Sequence, residues 1–366
     1  MRNRNLLFNF LTLLITIGFV FLVVTIGSSR YTSEDNLASI ILTFAIFSIL
    51  VGFICTLIHE LGHFIFGKAN GFKLISITIW FFKWYLDGKK YKFSFTIPTE
   101  EFGSTEMIPT SIENLEKRFS KLTFGGLLFS LVSLLIGIPA LFLDFLPLWA
   151  YALWSVFLPI GAYVFFGNFL PISENGARND GAVFFGLKNN DDISKVTISL
   201  LKIHSELYNG KTPAQIDDKY LYDLPQLPED DSNFIMLLYW RYLKFLDLED
   251  YKNCSKILER LLTLEEYFSK DMYNAVKTEA VFAYSTFILD VEKADMSVYE
   301  IEKYLNNTNN SSCIRAKLAY ILIEQDFNET ADMFYNKGVK ECLKTQIKGL
   351  ATFEKKLLDK LKKQIY

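Results

Sequence analysis

The pentapeptide His59-Glu60-Leu61-Gly62-His63 sets two imidazoles and a carboxylate inside CTLIHELGHFIFGKAN, residues 55–70, a run that is otherwise largely apolar. Residues four apart share one face of an α-helix, so His59 and His63 can bind one metal ion while Glu60, one step round, reaches a water on that ion. A catalytic zinc site uses three protein ligands and keeps one position open. The ion lowers the pKa of its water towards about 7, and a glutamate can take the proton during attack and return it to the leaving amine. These parts point to hydrolysis of a peptide bond with one Zn2+ per chain. A short motif can arise by chance, yet two of the chain's three histidines fall in it. Ionisable residues at membrane depth are costly and are functional candidates by default. Gly62 lets another backbone come close.

The elements that must position these groups are largely membrane-type. Of 366 residues, 51% are hydrophobic, and they concentrate before about position 190. Runs such as LLFNFLTLLITIGFVFLVVTIG exceed the roughly 20 helical residues that cross a bilayer core. Four spans are predicted, at about 6–27, 38–66, 122–145 and 149–171. The first follows Arg2 and Arg4; it is too long for a signal-peptide core and lacks a small-residue cleavage site, which reads as a retained helix. Arg2 and Arg4 place the N-terminus in the cytoplasm, as does the cluster of lysines between the second and third spans, Lys68 to Lys121, for that segment. The loops near 28–36 and 144–149 are poor in lysine and read as external. An even number of spans leaves everything after residue 172 cytoplasmic, so the chain reads as a multi-pass cell-membrane protein. The net charge of −3 is close to neutral and gives no hint of a nucleic-acid partner. Cys55, Cys254, Cys313 and Cys342 lack CxxC spacing and read as reduced core residues.

Within the inner loop, FKLISITIWFFKWYL and KKYKFSFTI flank Asp87-Gly88, the signature of a β-hairpin. Trp80, Trp84 and Tyr85 would anchor it at the membrane surface, and its edge could pair with an unwound substrate backbone. From about 190 the pattern changes to amphipathic helices with apolar spacings of three and four. MLLYWRYLKFLDLEDYKNCSKILERLL and IRAKLAYILIEQDFNETADMFYNKGVK share a layout that resembles helix-pair repeats of the tetratricopeptide kind, with an irregular period. The expected class is an α-helical membrane protein with a small cytoplasmic-face β-hairpin, residues 1–189, followed by an all-α soluble domain, residues 190–366. The basic last helix would cap the helical stack with a solvated lysine face, or lie on anionic lipid.

A third ligand should lie at a similar depth to the histidines. His204 is the remaining histidine, on a soluble amphipathic helix, and reads as an ordinary surface or core residue. The fourth span ends in GNFLPISENGARNDGAVFFGL, which brings Asp180 to the cytoplasmic end, the side on which His59 and His63 fall. Asn-Asp-Gly alone reads as a turn.

HELGH near the cytoplasmic end of one span, then Asn168-x-x-Pro171 and Asp180-Gly181 after two further spans, resembles the site-2 protease family of intramembrane zinc metalloproteases. The likeness covers roughly residues 38–186. It implies His59, His63 and Asp180 as zinc ligands, Glu60 as general base, and Asn168 as a polar group assisting the substrate carbonyl. Asn168 and Asp180 are twelve apart where the commoner family pattern has eight, because a loop with Glu174, Asn175 and Gly176 intervenes; Glu174 is the alternative ligand. FGGLLFS stands where many members carry Gly-Pro and a following Asn, so Gly126 matches while Leu127 and Ser130 do not. No PDZ-like segment is visible, which leaves substrate selection to other parts, such as the C-terminal helices. The implied substrate is a membrane protein or peptide precursor within the lipid bilayer. The competing reading is a membrane-anchored scaffold with a vestigial or structural metal site, whose helical domain binds a cytoplasmic protein. A metal transporter would need ligands spread across several spans.

Overall fold

The computed structural model describes residues 2–27, 30, 37–88, 90–97, 102–174, 177–324 and 328–363. Most of the expected loop at 28–36, Lys89, and Asn175 and Gly176 lie outside the described residues, as does the side chain of Glu174. The chain is mostly helical and divides into two compact units. The first comprises residues 1–86, 91–108 and 113–194; the second holds 195–366 with two short segments at 87–90 and 109–112.

Among the described residues four helices are long and apolar enough to cross a membrane. They are α1 (Arg2–Gly27), α2 (Leu37–Ala69), α3 (Leu115–Ala140) and α4 (Leu148–Phe169). Helix α2 packs on both α3 and α4, and α1 on α4. Their shared interior is apolar, with Leu134, Tyr151, Leu158 and Phe165 in one cluster and Val51, Cys55, Val156 and Phe157 in another. Outward-facing Phe10, Phe21, Ile41, Ile49 and Ile136 stay exposed, an exterior suited to lipid rather than water.

The third span begins and ends earlier than its hydropathy suggests. Charged Glu116, Lys117, Arg118 and Lys121 belong to the helix, and Arg118 is spent on the carbonyls of Asn70 (2.6 Å) and Gly71 (2.7 Å). At the other end Pro139 interrupts the hydrogen-bond ladder, and the chain leaves through tight turns, Leu141 N to Ile138 O and Phe142 N to Pro139 O. Helix α4 stops at Phe169 because Leu170 precedes Pro171 and takes an extended conformation.

The expected two-stranded hairpin is a four-stranded antiparallel sheet, β1 (Phe72–Ile79), β2 (Phe82–Asp87), β3 (Lys90–Phe95) and β4 (Gly103–Pro109), in the order β3-β2-β1-β4. The turn at Asp87-Gly88 forms as expected, with Gly88 at positive φ. FKLISITIWFFKWYL is not one strand. It folds back at Trp80-Phe81, pairing Ile79 with Phe82 and Ser76 with Tyr85. Trp80 takes a left-handed conformation, φ 55°, rare for a bulky residue. Its indole lies against Gly52 of α2, where a Cβ would meet Trp80 Cζ2 at 2.9 Å, and its Nε1 donates to Thr56 Oγ1 at 3.4 Å. The β1–β2 turn thus reaches about 10 Å beyond His59 along α2. Phe82, Trp84, Phe93 and Phe95 form a continuous aromatic cluster on one face of the sheet.

Beyond α4 come a two-stranded hairpin, β5 (Ser173–Glu174) and β6 (Ala177–Arg178), and the short helix α5 (Asp180–Asn189). Among the described residues of 195–366 the regular elements are helices. The second unit is built from α6 (Asp192–Tyr208), which starts at the unit boundary, α7 (Ser232–Asp247), α8 (Tyr251–Leu262), α9 (Lys270–Ala283), α10 (Val291–Asn307), α11 (Ser311–Ile323), α12 (Asn328–Cys342) and α13 (Lys348–Lys362). Helices pack as neighbours, α7 with α8, α9 with α10 and α11 with α12. The stretch AVFAYSTFILDV is broken: α9 passes into a π-turn at Tyr284–Ile288, and Leu289 takes φ 58° before α10 begins. Arg315 is wholly buried and pairs with Glu279 (2.6 Å) and Glu354 (2.8 Å). All four cysteines are free and buried.

Candidate metal centre

Helix α2 forms because residues 37–58 supply an apolar run without proline, and it continues through the polar pentapeptide to Ala69. The four-residue spacing then stacks the two imidazoles, with ring centroids 4.8 Å apart and planes at 87°. Each ring is held from behind. His63 Nδ1 donates to Leu122 O at 3.0 Å, and His59 Nδ1 hydrogen-bonds Ser130 Oγ at 2.9 Å, both partners on α3. A carbonyl only accepts, so the proton of a neutral His63 sits on Nδ1 and its Nε2 lone pair faces forward. The two Nε2 atoms lie 3.2 Å apart.

Asp180 completes the group. Its Oδ2 is 2.9 Å from His59 Nε2 and 3.0 Å from His63 Nε2. Burial disfavours charge on Asp180, and the two imidazoles outweigh burial, holding this carboxyl well below the usual carboxylate range. Asn-Asp-Gly is not a free turn. Asn179 is the N-cap of α5, accepting from Ala182 N, and Asp180 is the first helical residue. The twelve-residue spacing from Asn168 is absorbed by the β5–β6 hairpin, in which Ser173 pairs with Arg178 and Glu174 with Ala177. Because Asn179 N donates to Ile172 O at 3.2 Å, the chain leaves the hairpin where it entered.

Close helix approach brings the partners into reach. A Cβ on Gly62 would lie 2.3 Å from Gly125 O, and one on Gly126 would lie 2.3 Å from His63 Nε2. Only hydrogen fits at either position, so the Gly62 expectation holds and Gly125-Gly126 supplies its counterpart. Gly181 is equally confined, a Cβ there meeting Phe169 O at 2.0 Å.

His59, Glu60 and His63 are all buried, at 5%, 5% and 7% exposure. Three ligand atoms that all want a cation converge on one point. Their separations of 2.9, 3.0 and 3.2 Å approach the edge of about 3.3 Å in a tetrahedron of zinc–nitrogen and zinc–oxygen bonds. Two neutral imidazoles with a carboxylate also match the donor chemistry of catalytic zinc sites. The residues therefore fit the ion.

Glu60 Oε2 accepts a 2.6 Å hydrogen bond from Thr105 Oγ1 of β4. Gly103 of the same strand lies against that carboxylate, and a Cβ there would come within 2.6 Å of Oε1. Asn168 sits in the last turn of α4 with its Nδ2 turned back to Val164 O at 2.9 Å. No hydrogen bond joins its side chain to the triad among the described residues. His204 belongs to the second unit, edge-on to Trp240 with ring centroids 5.4 Å apart, and burial lowers its pKa to about 4. Sequence reasoning passed over Thr105 and Gly103, and it treated Ser130 only as a mismatch. The Asn179-Asp180 pair carried a helix N-cap signal that was legible in principle.

No family model matches the chain, and comparison with curated proteins and with solved structures finds no match either.

Proposed function

We propose that this chain is an intramembrane zinc metalloendopeptidase of the site-2 protease kind, cutting a membrane protein or peptide precursor in or near its membrane-spanning part. One observation carries the reading: His59 Nε2, His63 Nε2 and Asp180 Oδ2 converge beside Glu60 on a long apolar helix. A bound zinc ion would supply Lewis acidity and a water acidified towards pH 7. Glu60 takes the proton from the attacking water and delivers it to the leaving amine, and Thr105 steadies its carboxylate for both transfers. Ser130 and Leu122 fix the imidazoles so that both Nε2 atoms face the centre.

A transmembrane helix hides its amides in its own hydrogen bonds, so a substrate must unwind before attack. β4 is an edge strand of the described sheet and lies against Glu60. A substrate segment adding to that edge would be held extended beside the carboxylate. The topology that fits has the N-terminus and the second unit in the cytoplasm, the second unit being a helix-pair array that recruits or restrains. Its pairs begin at Ser232, Lys270 and Ser311, spacings longer than the roughly 34 residues of tetratricopeptide repeats.

The test is zinc content per chain of detergent-purified protein, for wild type, His63→Ala and Asp180→Ala. About one zinc in wild type, lost or weakened in both variants, is expected. No zinc in wild type after metal repletion would overturn the enzyme and favour the scaffold reading.

A further inference from the structure

The residue before Asp180, Asn179, ties neighbouring pieces of chain together through its side chain. Asn179 Oδ1 accepts from Ala182 N at 3.0 Å and from Ile172 N at 3.1 Å, while Nδ2 donates to Gly167 O and Leu170 O, both at 2.7 Å. All four hydrogen-bonding positions of the carboxamide are used. Two partners are donors and two are acceptors, so the orientation of the amide is unambiguous, and no other side chain of this size satisfies the set. An aspartate would set a carboxylate against two carbonyls; a leucine would leave two N–H groups and two carbonyls without this partner.

These bonds join three pieces of chain. Gly167 and Leu170 carry the end of α4, Ile172 is the entry to the β5–β6 hairpin, and Ala182 lies in the first turn of α5. From outside, Asn5 Nδ2 of α1 donates to Ser173 O at 2.5 Å, and Arg178 pairs with Asp191 at 2.7 Å. The hairpin is therefore tied at both sides, and Asn179 is the point where its two ends meet the helix that bears Asp180.

We infer that Asn179 is the positioning residue of the metal centre, acting only through Asp180: its carboxamide fixes the start of α5 against the end of α4 so that Oδ2 meets both imidazoles. The inference rests on the metal-centre reading above. It explains how a chain with extra residues between Asn168 and Asp180 still delivers the carboxylate.

The experiment is a double-mutant cycle on metal affinity, read by chelator competition with Zn2+ and by the visible absorption of bound Co2+. It uses the full chain in detergent as wild type, Asn179→Leu, Asp180→Asn and the double variant. Asn179→Leu is expected to weaken Zn2+ binding 10- to 100-fold, the scale of losses seen for groups that orient ligands. It is expected to shift the Co2+ spectrum towards that of Asp180→Asn, and to change affinity less than twofold in the Asp180→Asn background. Wild-type affinity in Asn179→Leu, or an equal loss in both backgrounds, would overturn the role of Asn179 and leave the metal centre standing. Absence of metal binding in wild type would overturn the centre and this role together. Asn179→Asp, which keeps both N–H acceptors, carries the same cycle should the leucine variant not fold.

Discussion

Thr105 Oγ1 donates to Glu60 Oε2 at 2.6 Å, tying an edge strand to the buried carboxylate next to His59 on α2. A hydrogen bond to a charged group contributes about 1.5–3 kcal/mol. Thr105→Val keeps the shape and removes the donor. If the chain is the proposed zinc peptidase, peptide cleavage is expected to fall about 10- to 100-fold with zinc content unchanged, measured as turnover per bound zinc; unchanged turnover would remove Thr105 from the proposed mechanism.

In the proposed mechanism, Glu60→Gln removes the base while leaving the three proposed ligands in place. Zinc stoichiometry is expected to stay at wild type while cleavage falls about 10²- to 10⁴-fold, the usual contribution of a positioned acid–base group. Quantitative mass spectrometry of membranes expressing either form should show a protein or peptide that accumulates intact only with Glu60→Gln. Products in equal amount from both would contradict the mechanism.

Gly126 and Gly62 test the close approach of α3 to α2. Gly126→Ala puts a methyl group where His63 Nε2 lies, 2.3 Å away, and is expected to weaken Zn2+ binding by at least 10-fold. Gly62→Ala meets the backbone oxygen of Gly125 instead, and its effect is expected in stability, about 1–3 kcal/mol by overpacking. Thermal unfolding and metal titration of both variants separate the two outcomes.

Arg315 lies between Glu279 and Glu354 with no exposure of its own side chain. Arg315→Met strands two carboxylates in the core of the second unit and is expected to destabilise it by about 3–5 kcal/mol. Adding Glu279→Gln and Glu354→Gln should recover much of that loss. The measurement is chemical unfolding of the full chain followed by circular dichroism.

His204 gives the second unit an acid limit. Its folded pKa is depressed from 6.5 to about 4 by burial, so unfolding below pH 6.5 takes up a proton. The corresponding stability is present above pH 6.5 and is lost as pH falls towards 4, on the order of 3 kcal/mol in all. His204→Gln is expected to flatten stability against pH across that window. An unchanged slope would show that other groups set the acid limit.

The four apolar helices, the Asp87-Gly88 turn and the helical second half were legible because each depends on neighbours in sequence: apolar run length, β-branched and aromatic clustering, spacings of three and four. Misread features depend on partners far along the chain. FKLISITIWFFKWYL has the composition of one long strand, and it folds back at Trp80 where the indole finds Gly52. β4 has a weak strand pattern and is held by pairing with β1. The start of α3 looks like a charged loop until Arg118 meets the carbonyls that end α2.

By itself the sequence determined that two imidazoles and a carboxylate would lie on one helix inside an apolar span, since a spacing of four residues does that wherever the helix goes. Tertiary structure alone decided how Asp180 meets them. It lies twelve positions beyond Asn168, and folding the intervening chain into a hairpin closed by Ile172 and Asn179 returns the backbone to the end of α4. Hydrogen bonds between residues seven to twelve apart, and glycines that let helices touch, act through distances in space that no local pattern records.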